Sequence, residues 1–155
     1  ERNTTVYKGN NLPMTFRYPT GWAVEGSESG NVVFRNLRAE NSFKPTISIS
    51  DEKVSQGIDL DLFIAERLVN REQVDEWYET ISRQAGATVA GHAATRVEYR
   101  NVVVTDSGPA IVNGVETYVL VGSHLYTLRY EADPATFEDG LKQYERLLRS
   151  VHLSD

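Results

Sequence analysis

Three histidines, His92, His124 and His152, are the side chains of this chain best suited to proton transfer or metal ligation near neutral pH. No two stand at ligand spacing, and no His-Glu-x-x-His occurs. His92 follows Gly91 in a predicted turn, and His124 follows Gly122-Ser123 at a predicted hairpin tip. A solvated turn histidine is the plain reading of both, and a metal or partner contact is the sharper one. His152 stands just past a predicted C-terminal helix, where a cation suits the helix dipole. A suitable sheet would bring His92 and His124 together; their spacing alone leaves that open.

The remaining chemistry is soon exhausted. No G-x-S-x-G elbow exists, and the Gly26–Gly30 stretch carries Glu28 where the nucleophile would stand, so it reads as a loop. The glycines are scattered at turns and form neither a Walker loop nor a dinucleotide fingerprint. Asp51, Glu52, Asp59 and Asp61 match no EF-hand spacing, and Asp59 is more simply a helix cap. There are no cysteines, which excludes disulfides and thiolate metal sites. The expectation is therefore no catalytic residues, no metal and no cofactor. The eight Tyr, five Phe and two Trp mostly fall on predicted inward positions. Trp22, Trp77 and Tyr78 are the expected exceptions, on strands near a sheet edge, and an exposed aromatic cluster would mark a protein-binding surface. The expected partner surface combines Trp22, the His92 turn and the His124 hairpin tip, with Arg96 as a charged contact.

Composition bounds the partners. The 155 residues fit one domain with a sizeable core. A net charge of −6 disfavours nucleic acid and anionic lipid and leaves proteins or small ligands. No apolar run approaches the roughly 20 residues that span a bilayer. The sequence opens on Glu1, as expected for a chain that lost a leader or was excised from a longer protein. Residues 1–12 are polar and read as a tether or linker, and residues 13–155 read as one domain.

The elements that must position these residues show in the hydrophobic pattern. Met14, Phe16 and Tyr18 alternate as a strand, Pro19 to Gly21 turn, and Trp22 to Val24 resume the sheet. Gly26–Asn31 is a loop, Val32 to Phe34 a strand, 36–44 a polar connection, and Thr46 to Ser50 a strand with Ile47 and Ile49 inward. Leu60, Phe63, Ile64 and Leu68 share a helical face after the Asp59 cap, which predicts a helix over about 59–71. Residues 72–85 satisfy helical spacing and strand propensity alike. Ala90 to His92 reverse the chain, Ala94 to Val104 form a long strand, and Thr105 to Pro109 a loop. Asn113-Gly114 reads as a turn leading into a hairpin of Thr117–Val121 and Leu125–Tyr130. Val119 to Val121 are apolar on both faces, as in a central strand. Asp133 and Pro134 open a final helix whose stripe is Phe137, Leu141, Tyr144, Leu148 and Val151, with Gly140 permitting close packing on the sheet.

Three stretches carry a family resemblance: Phe16-Arg17-Tyr18-Pro19-Thr20-Gly21-Trp22, then Val89 through Tyr99, then Leu125-Tyr126-Thr127-Leu128 with the Phe137 and Tyr144 helix. In order and spacing, from about Met14 to Leu153, the chain resembles the PsbP-like family, which shares an α-β-α sandwich with the Mog family of Ran-binding proteins. The resemblance implies an α+β fold, an antiparallel sheet flanked by helices near 59–71 and 134–150, and makes 76–83 a strand. It implies no reaction. It points to bacterial exported proteins or lipoproteins and hence to an extracytoplasmic or secreted setting. The expected function is a non-catalytic module binding a protein partner. The alternative is an accessory domain of a larger secreted enzyme such as a hydrolase or protease, its chemistry upstream of Glu1.

Overall fold

The computed structural model describes residues 3–9, 12–25, 30–40 and 43–153. In chain order these form β1 (Thr4–Tyr7), β2 (Met14–Pro19), β3 (Ala23–Glu25), β4 (Asn31–Arg35), β5 (Thr46–Lys53), α1 (Leu60–Val74) and β6 (Glu79–Val89). Then follow β7 (His92–Thr105), β8 (Gly108–Val121), β9 (His124–Ala132), α2 (Phe137–Arg149) and β10 (His152–Leu153). A seven-stranded sheet runs β3-β4-β5-β9-β8-β7-β6, and a three-stranded sheet runs β1-β2-β10. Every strand pair is antiparallel. This is the expected α+β architecture, with helices on both faces of an antiparallel sheet.

The two faces divide by residue parity, as a pleated strand requires. Val115 and Val119 of β8, Tyr126, Leu128 and Tyr130 of β9, and Ile47 and Ile49 of β5 pack with α2 and the small sheet in one core. Val97 and Tyr99 of β7, Tyr118 of β8 and Leu125 of β9 pack under α1 in the other. The middle of β8 is therefore buried on both sides, as its apolar run predicts. Asp59 caps α1 by accepting the Leu62 N–H at 3.2 Å, and Leu60, Ile64 and Leu68 are its buried stripe. The ambiguous stretch resolves with α1 running to Val74 and β6 starting at Glu79.

Several expectations are corrected. Residues 1–12 are not simply a tether. Thr4–Tyr7 pair with β2, and Tyr7 and Leu12 are buried in the core; Tyr7 stacks on Phe16 at 4.8 Å. Polarity misleads there because only one face of a short edge strand is apolar. Residues 105–109 form no loop: Asp106-Ser107 turn tightly and Pro109 pairs with Val104. Asn113-Gly114 does not turn at all but lies within β8. A Cβ on Gly114 would stand 2.2 Å from Cζ of Tyr99, its cross-strand partner, so this glycine makes room for the ring. Asp133 caps a turn rather than the helix: it accepts the Thr136 N–H at 3.1 Å, and α2 starts at Phe137. The buried face of α2 is Phe137, Gly140, Tyr144 and Leu147, with Leu141 and Leu148 only partly buried. Of the expected loops, 26–29 and 41–42 lie outside the described residues.

Gly140 does permit close packing. Tyr130 is fully buried, donates its hydroxyl to the Phe137 carbonyl at 2.8 Å, and would meet a Cβ at position 140 at 2.1 Å. The ring is held by Phe137 and Tyr144 at 5.3 and 5.9 Å and cannot swing aside. Gly140→Ala is therefore expected to lose about 1–2 kcal/mol, overpacking outweighing the gain in helix propensity. Urea denaturation midpoints of the two proteins check the sign.

Candidate interaction surface

A carboxylate buried in the sheet anchors the surface worth describing. Glu116 of β8 is completely buried beneath α1. One of its oxygens accepts Nη1 of Arg71 at 2.9 Å, and the other accepts Nε of Arg129 at 2.9 Å together with its Nη2. The Arg71 guanidinium also lies over the rings of Tyr78 and Tyr99, 4.1 and 5.1 Å from their centroids. Tyr99 donates its hydroxyl to Glu131 at 2.6 Å. Burial alone would lower the Arg71 and Arg129 guanidiniums; facing Glu116, both are instead raised. Burial, and then the nearby carboxylates, push Tyr99 and Tyr118 well up. The cluster thus holds a fixed charge pattern: Glu116 is a counter-ion, and its arginines clamp the last turns of α1 to β8 and β9. Sequence reasoning passed over Glu116 and Arg129. The signal was a single charged side chain beside the apolar run of the central strand, hidden because the predicted strand began only at Thr117.

The clamp continues to the surface through Asp75, at the C-terminus of α1. Its N–H donates to the Arg71 carbonyl at 3.0 Å. One side-chain oxygen accepts the Trp77 N–H at 3.2 Å and the other the Asn101 amide at 3.1 Å. Tyr78, one residue further on, is buried under α1. Trp77 is thereby held outward in a fixed turn with its side chain 63% exposed, beside Val74 at 86%. Ile81, in a bulge of the edge strand β6, is exposed as well. The expectation of exposure holds for Trp77 and fails for Tyr78 and Trp22.

The four residues expected to form a partner surface do not converge. Trp22 is buried and packs into the α2 core, beside a hollow lined by Pro45, Gly140 and Gln143; the β2–β3 connection folds inward to cap the sandwich. His92, Arg96 and His124 lie on the α2 side of the sheet. The β6–β7 and β8–β9 turns share one end of it, and Val121 lies between the two histidines, which strand spacing puts about 10 Å apart. His124 is exposed, with Nδ1 3.0 Å from Asp51. Arg96 is engaged by Glu145 of α2 at 2.6 Å. Arg96 therefore fastens α2 to the sheet. Among the described residues, no three histidine or carboxylate side chains gather as metal ligands.

No protein-family model and no curated protein sequence matches the chain. Solved structures do. Cyanobacterial PsbP from Synechocystis sp. matches with a TM-score of 0.68 at 17% identity over 97% of this chain and 92% of its own. The Ran-binding protein Mog1p of Saccharomyces cerevisiae gives 0.69 at 13% over 99% and 96%. LpqN, involved in cell envelope biogenesis of Mycobacterium tuberculosis, gives 0.69 at 15% over 98% and 91%. At these identities the likeness is one of fold, and it covers nearly the whole chain.

Proposed function

We propose that this domain, a sandwich of the PsbP/Mog type, is a non-catalytic accessory module that binds a protein partner outside the cytoplasm. The observation that carries the reading is Trp77, an exposed indole in a turn fixed by Asp75 and Asn101 and flanked by exposed Val74. Leaving a tryptophan in water forgoes its large burial energy, and a rigid aromatic needs little ordering when a partner covers it. Such anchors dominate protein interfaces. Mog1p, of the same fold, is a Ran-binding protein, and LpqN, of the same fold, is involved in cell envelope biogenesis. The acidic net charge points the same way, toward proteins rather than nucleic acid.

The test is photo-crosslinking from position 77 in cells of the source organism, followed by affinity measurement on the captured protein. Trp77→Ala is expected to weaken that complex roughly thirtyfold or more while leaving the melting temperature unchanged. An unweakened complex would move the surface elsewhere. Capture only of cytoplasmic proteins would overturn the setting, and substrate turnover by the isolated domain would overturn the non-catalytic assignment.

A further inference from the structure

The outer face of the small sheet carries a second feature, unrelated to the Trp77 turn. In β1 and β2, Tyr7 and Phe16 face the core, so Val6, Thr15 and Arg17 face outward, and His152 pairs opposite Thr15. The C-terminal end of α2 rises beside this face: Ser150 accepts the Arg17 N–H on its hydroxyl at 2.8 Å. Between them lies a depression of about 450 Å3 lined by Arg17, Arg146, Arg149 and His152, together with Thr15 and Ser150. Among the described residues, no acidic side chain lines it.

That charge pattern is unusual in a chain of net charge −6. Arg35, Arg67, Arg71, Arg83, Arg96 and Arg129 each pair with a carboxylate. Among the described residues, Arg17, Arg38, Arg100, Arg146 and Arg149 pair with none, and three of these five, Arg17, Arg146 and Arg149, line the same hollow. Arg146 and Arg149 stand in the last turn of α2, where a cation also offsets the helix dipole. Arg17 comes from β2 and His152 from β10, so the dipole does not account for them. Guanidinium groups offer planar forks of donors that match oxyanions, and like charges gathered in a concavity repel until an anion joins them. The volume falls in the range of small-molecule sites.

The geometry points to a binding site for a small, multiply charged oxyanion, a phosphate monoester or a di- or tricarboxylate, between the end of α2 and the β1-β2-β10 sheet. Arg17, Arg146 and Arg149 supply the charged donors, and the Thr15 hydroxyl and His152 ring complete the wall.

Two-dimensional NMR titration of the full chain with inorganic phosphate, and separately with malonate, tests the site at constant ionic strength set by chloride. Saturable shifts centred on the Thr15–Arg17 and Ser150–His152 amides are expected. Arg17→Gln with Arg149→Gln should weaken binding roughly tenfold or more, because each removes a charge-assisted donor. Arg149 is exposed and Arg17 partly exposed, and an unchanged melting temperature confirms the variant is folded. Trp77→Ala should leave the affinity untouched, so this site stands or falls apart from the partner surface. Tighter phosphate assigns a phosphate ester, and tighter malonate a carboxylate. Shifts that do not saturate, that scatter over the surface, or that persist unchanged in the double variant would overturn the proposal.

Discussion

Glu116→Ala should cost about 3–5 kcal/mol of folding stability, the penalty of leaving buried charges without their counter-ion. Arg71 and Arg129 converge on this one completely buried carboxylate from α1 and β9. Removing it leaves both guanidiniums partly buried and mutually repelling, with a cavity between them. Chemical denaturation followed by far-ultraviolet circular dichroism measures the loss. A second readout separates this cause from simple cavity formation. The C-terminal turns of α1 hold Trp77 through Asp75, so amide exchange there should accelerate more than in the α2 core. A loss below about 1 kcal/mol would put the carboxylate among groups that merely fill space.

Leu147→Ala should cost about 2–5 kcal/mol, and Leu148→Ala clearly less. Leu147 is completely buried in the α2 core with Phe137, Tyr144 and Val151, whereas Leu148 is only partly buried at its border. The Leu147 cavity cannot collapse easily. Tyr144 beside it is pinned by hydrogen bonds to Thr117 at 2.7 Å and to the Leu128 carbonyl at 2.6 Å. Equal losses in the two variants, from urea midpoints at a common slope, would contradict the buried face of α2 described above.

Much of the sandwich was written in the chain. Alternation at Met14–Tyr18, Thr46–Ser50 and Leu125–Tyr130, the Asp59 cap and the double-faced apolar run near Val119 each specify an element locally. Local physics alone generates those signals. The consecutive apolar residues Val119–Val121 also marked β8 as central, because a strand covered on both sides can be apolar at successive positions.

Tertiary structure decided the rest, wherever two local readings were equally good or where the partner lay far along the chain. Asn113-Gly114 has turn chemistry, yet Gly114 pairs with Tyr99 of the neighbouring β7 inside the ladder, and the Tyr99 ring fills the space above it. Leu147 and Leu148 both fit a helical stripe, and a shift of one residue is settled only by the surface that α2 meets. Trp22 and Trp77 are alike as residues. One is buried because its loop folds over the α2 core; the other is exposed because Asp75, held by Arg71 and Asn101, turns it outward. The gathering of Arg17, Arg146 and Arg149 in one hollow likewise needs β2 and the end of α2, far apart in sequence, to become neighbours. Charge, pattern and capping are properties of a segment. Burial, convergence and exposure are properties of what packs against it, and those decide where this protein can bind.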